Sequence, residues 1–88
     1  MTTTKKIDTL NRSWTPVRES HIIDKPIGRI VATTCRQTCA GHETPPRWAP
    51  VAVFVEFTPV SGDSKIMVLE CKDEDAAELR IVEKFENA

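Results

Sequence analysis

The chain has 88 residues, with 12 basic and 13 acidic side chains, 40% hydrophobic residues and 28% charged residues. A formal charge of -1 excludes a general basic nucleic-acid binder and a strongly acidic nucleic-acid mimic. The composition is that of a chain that folds, and the length leaves room for one small domain with a thin core.

Residues 1–11 are polar and Thr-rich without periodicity, which predicts an N-terminal arm ahead of a single domain over 12–88. This start has no apolar signal segment, and the longest apolar run, Val51 to Val55, is five residues, against about 20 for a membrane-spanning helix. A small soluble cytoplasmic protein without a membrane span is therefore expected. Three cysteines do not make a disulfide framework, and thiols are expected.

The first hairpin is predicted from Trp14-Thr-Pro-Val17 through His21-Ile-Ile23, a turn at Asp24–Gly28, and the β-branched run Arg29–Thr34. Arg18, Glu19, Ser20 and His21 interrupt its first arm, which reads as an edge or irregular strand. A second Trp-x-Pro-Val start follows at Trp48, 34 residues later, and in both segments a turn glycine lies 14 residues past the tryptophan. That echo suggests two hairpins in tandem.

Between the hairpins runs a connection over 35–50 that is long for a compact domain. It opens on Cys35-Arg-Gln-Thr-Cys39-Ala-Gly-His42. With Cys71 from the second hairpin, Cys35, Cys39 and His42 make a possible tetrahedral zinc set, because thiolate and imidazole suit that ion. The missing second compact ligand pair counts against it, and no cofactor is the favoured expectation. Cys39 and His42 also have the composition of a nucleophilic pair, without an evident third group to orient them. The connection closes on Thr44-Pro-Pro-Arg47-Trp48-Ala-Pro50, where prolines restrict the backbone and Arg and Trp are residue types that dominate binding hot spots. Arg36, His42, Arg47 and Trp48 are the candidate binding residues.

The second hairpin has the stronger pattern. Val51, Val53, Val55 and Phe57 share one face of the first arm, Ala52 and Phe54 the other, and Thr58-Pro-Val-Ser-Gly-Asp-Ser64 supplies the turn before Lys65–Cys71. Apolar groups on both faces predict a central strand. Residues 72–87 read as a helix with acidic residues crowding its start, a capping-box-like Asp75/Glu78 spacing, and Ala77, Ile81, Val82 and Phe85 along one side. Glu78 interrupts that stripe. Leu79, Ile81 and Phe85 also fit a two-residue alternation, which makes a further strand the alternative.

The expected fold is α+β: an antiparallel sheet of about four strands in two hairpins, with a C-terminal helix on one face; all-β is the alternative. The expected function is a non-catalytic protein-protein interaction module, an inhibitor or regulator that binds a larger partner through the 35–50 loop or a sheet edge. A structural zinc domain is the second reading. The third is weak nucleic-acid binding by the N-terminal half, where Lys5, Lys6, Arg12, Arg18, Lys25, Arg29, Arg36 and Arg47 accompany Trp14 and Trp48. Homo-oligomerisation is compatible with all three.

Charge is unevenly placed. Residues 1–49 hold eight basic and four acidic side chains, and residues 50–88 hold four and nine. Folding either neutralises the halves against each other, the favoured expectation, or leaves a basic and an acidic face.

Overall fold

The computed structural model describes residues 13–38 and 46–87. Five strands form one antiparallel sheet: β1 (Trp14–Pro16), β2 (His21–Lys25), β3 (Gly28–Gln37), β4 (Val51–Pro59) and β5 (Lys65–Cys71). One side of β3 pairs with β4, from Gly28 opposite Pro59 to Arg36 opposite Val51, and β5 lies beyond β4. The other side of β3 takes both β1, against Cys35–Gln37, and β2, against Gly28–Ala32. β1 and β2 are thus two pieces of one edge. They part where Arg18, Glu19 and Ser20 interrupt the β pattern, just after the Val17 N–H donates to the Thr34 carbonyl at 3.0 Å. The two-hairpin sheet is present, with its first arm broken in two.

The β2–β3 turn is Pro26-Ile27, closed by the Lys25–Gly28 pair. Gly28 sits so close to β4 that a Cβ there would lie 2.4 Å from the Thr58 carbonyl oxygen, well inside contact distance, so the turn requires glycine.

After β5 the chain forms helix α1 (Glu74–Ile81), followed by a π-helical turn over Val82–Glu86. The N-cap is Asp73, whose carboxylate accepts from the Ala76 N–H at 2.7 Å. This corrects the expected Asp75/Glu78 box: both residues lie inside the helix, where Asp75 meets Arg18 at the break in the sheet edge and Glu78 meets His21 and Thr34 of the sheet. The helix therefore starts later than residue 72, and the strand alternative for this segment does not hold.

The core lies between α1 and one sheet face. β4 supplies Val51, Val53 and Val55, β3 supplies Ala32, β5 supplies Leu69, and the helix sets Ala77 and Ile81 on them. Ile23, Ile30, Cys71 and Phe85 pack around this cluster. Ala32 and Ala77 present little more than a methyl group, which lets helix and sheet approach closely. Ile81 and Val53 are fully buried, and each such side chain contributes about 1.5–3 kcal/mol through burial.

The opposite sheet face buries Cys35, Ala52 and Val68, and Trp14 meets Phe54 edge-on with ring centroids 5.3 Å apart. The Trp-x-Pro-Val echo is not a structural repeat: Trp14 is a strand residue packed on Phe54, whereas Trp48 lies in a turn ahead of β4. The expected arm over 1–11 lies outside the described residues.

Candidate functional site

β3 runs through Gln37, so the connection to β4 is shorter than expected, and its described residues are Thr38 and Pro46–Pro50. The local chemistry here starts with strand alternation. Ile30, Ala32, Thr34 and Arg36 fall on the helix-side face of β3, and that parity drives a guanidinium inward at the end of the sheet.

Arg36 is only 9% exposed. Its Nε and Nη2 donate to Glu74 Oε2 on the first turn of α1, at 3.0 and 2.6 Å. Its Nη1 donates to the backbone carbonyls of Arg47 and, at 2.7 Å, Ala49. One side chain thereby joins the sheet, the helix N-terminus and the loop. The planar guanidinium suits this task because its donors leave in fixed directions. The Ala49 N–H closes the turn onto the Pro46 carbonyl at 3.0 Å, and the Gln37 N–H holds the Pro50 carbonyl at 2.8 Å.

Four backbone constraints thus converge on Pro46–Pro50. Ala49 is buried beneath the turn, while Arg47 is exposed and Trp48 is 77% exposed at its apex. Of the sequence candidates, the structure brings Arg36, Arg47 and Trp48 together in this turn. Arg36 faces inward as a support. Cys39 and His42 lie outside the described residues.

A second polar cluster joins the broken edge to the helix. His21 sits between two carboxylates, with Nε2 2.8 Å from Glu78 Oε1 and Nδ1 2.9 Å from Glu86 Oε2. The Thr34 hydroxyl donates to Glu78 Oε2 at 3.1 Å, and Arg18 donates to Asp75 at 3.0 Å and lies 3.8 Å from Glu74. The bonds to Glu86 and then Glu78 hold the His21 pKa above its ordinary value. When the ring is protonated, both nitrogens donate to the carboxylates and His21 is a cationic tie between the sheet edge and the helix. The sequence presents Glu74 and Asp75 as a helix start and Glu78 as an interruption of the apolar stripe; what it does not show is that Glu78, with Glu74 and Glu86 one and two turns away on the same side, faces Arg36, Thr34 and His21.

The charge asymmetry resolves in this cluster. Arg18, His21 and Arg36 from the basic half meet Glu74, Asp75, Glu78 and Glu86 from the acidic half, so folding mixes the two. Arg29 pairs with Asp24 at 2.7 Å within the first hairpin. Arg18, Arg29 and Arg36, three members of the basic set, are thereby neutralised inside the chain.

The cysteines separate. Cys35 pairs with Ala52 of β4 and Cys71 with Val51, adjacent positions whose side chains point to opposite sheet faces. Of the Cys35, Cys39, His42 and Cys71 set, the two described members thus lie on opposite faces of strands separated by β4, and the other two lie outside the described residues. Burial pushes both thiols up from the ordinary cysteine range. No helix among the described residues is long and apolar enough to cross a membrane. No family model matches the chain, and no curated protein or solved structure matches it either.

Proposed function

We propose that the chain is a small non-catalytic interaction module that binds a larger protein partner, as an inhibitor or regulator, through the turn at Pro46–Ala49. The observation that carries this reading is Trp48, 77% exposed on a turn whose backbone is fixed by Arg36. An aromatic side chain of this kind removes about 150–250 Å² from water when a partner covers it. A turn already held in one conformation loses little entropy on binding, so more of that gain survives as affinity. Arg47 beside it adds a charged, planar group suited to a carboxylate or to an aromatic face on the partner.

The test is affinity capture from the source cell with the wild-type chain and with Trp48→Ala, alongside melting curves of both. Loss of the captured protein, or an affinity drop of about 30-fold or more, at an unchanged melting temperature supports the reading. An unchanged captured set, or a fall in melting temperature that accounts for the loss, overturns it.

A further inference from the structure

The sheet has a second surface, independent of the Trp48 turn, in the outer edge of β5. Among the described residues no strand lies against it. β5 is Lys65-Ile-Met-Val-Leu-Glu-Cys71, seven residues in continuous register with β4, without proline or bulge. Its outward backbone N–H and C=O groups are those of a strand that lacks one neighbour. Its side chains are apolar on both faces at once: Ile66 is 56% exposed on the face away from the helix, and Met67 is 42% exposed on the helix face. Helix α1 lies over β4 and covers Leu69 of β5, while its carboxylates bond to Arg36, Thr34 and His21 on β3 and β2. Met67, two residues before Leu69 on the same face, keeps 42% of its surface exposed.

We propose that this edge pairs antiparallel with the same edge of a second copy, about a two-fold axis at Met67, joining two sheets into one. Three observations favour a second copy. First, a two-fold axis perpendicular to the sheet pairs residues of equal parity, so each face meets its own kind. Centred on Met67, it sets Ile66 opposite Val68 of the other copy, Met67 opposite Met67, and Lys65 opposite Leu69. Second, it opposes no two like charges, and Glu70 falls opposite Ser64. Centring on Val68 instead would set Ile66 against the Glu70 carboxylate. Third, a chain of net charge -1 offers almost no long-range repulsion to its own approach.

The register makes the proposal specific. Met67→Lys places two ammonium groups directly opposite each other at the axis, and Met67→Glu places two carboxylates there; like charges so placed disfavour pairing. The experiment is sedimentation equilibrium of the full chain, from micromolar to hundreds of micromolar, for wild type, each variant and an equimolar mixture of the two. The expected result is a wild-type monomer–dimer equilibrium and a dissociation constant raised about tenfold or more in each variant alone. Association returns in the mixture, where the ammonium group of one variant meets the carboxylate of the other across the axis. Trp48→Ala leaves association unchanged, so this proposal and the Trp48 reading fail separately.

A wild type that stays monomeric overturns the proposal, including the case in which it binds a foreign extended peptide instead. Variants that associate as wild type does, or folded variants whose mixture stays monomeric, overturn it too. Should either charged variant fail to fold, Met67→Cys decides: paired Cα atoms at the axis lie within the roughly 4.4–6.8 Å a disulfide spans. A mild thiol oxidant should then give covalent dimer well beyond that of the wild type with its own cysteines, and equal yields overturn the register.

Discussion

The β1/β2 edge is interrupted after Pro16, exposes no stretch longer than the five residues of β2, and carries Arg18 and Glu19 at its break. The β5 edge runs seven residues with Ile66, Met67, Val68 and Leu69 in succession. Proline, short strands and charge are the means by which sheets keep their edges from pairing, and they gather on one side of this molecule. The charges on that side have a second role. Arg18 and His21 reach from the broken edge to α1, so the features that blunt the edge also tie it to the helix. β5 receives neither treatment. Substitutions on the β1/β2 side and in its charged network should therefore cost folding stability, and those on the β5 side should cost association.

The largest effect is expected at Arg36. Arg36→Ala leaves Glu74 without its inward partner and the Arg47 and Ala49 carbonyls without a donor, a loss of about 3 kcal/mol in denaturant titration. It should also loosen the Trp48 turn, seen as faster exchange of the Ala49 amide hydrogen. Equal exchange in both chains would show that the turn is held by Pro46 and Pro50 alone. The next effect is at the N-cap, where Asp73→Ala should cost about 1 kcal/mol by removing the acceptor of the Ala76 N–H.

His21 gives an effect whose size depends on pH. Its folded pKa is raised, by Glu86 first and Glu78 second, so its contribution is complete below the ordinary value near 6.5 and is lost as pH rises through the raised value. Wild type should exceed His21→Gln by roughly 1 kcal/mol near pH 6 and by much less near pH 9. A constant difference across that range would mean that His21 acts by packing and not by charge.

The pattern of these residues explains what could be read from the sequence. Both hairpins and the inward face of β4 follow from period-two alternation and turn chemistry, local signals that the chain states directly. The helix was legible from the acids at its start, but its cap was not: Asp73, Glu74 and Asp75 are equivalent as composition, and only the backbone's exit from β5 selects Asp73. Arg36 falls in the expected 35–50 connection and so in the candidate binding set. Three further residues of β3 turn it inward, and a strand's end depends on pairing with Pro50 and Ser13, which no local pattern records. The ties from His21 to Glu78 and Glu86 join residues 57 and 65 positions apart, so their geometry arises only when the sheet and helix are assembled.

The smallest expected change in stability sharpens the comparison most. Ile66→Lys replaces a side chain that is already 56% exposed, and its β4 partner in the register is Glu56 on the same face. The lost apolar contact is partial, and an opposite-charge cross-strand pair returns roughly 0.2–1 kcal/mol, so stability should stay within about 0.5 kcal/mol of wild type. Yet a lysine on an edge strand is one of the devices the β1/β2 side uses in kind, and here it would face Val68 of the second copy. Denaturation midpoints and sedimentation on the same sample separate the two quantities. An Ile66→Lys chain that is as stable as wild type but no longer associates places the function of that side chain outside its own fold, because nothing within the monomer then accounts for an isoleucine there.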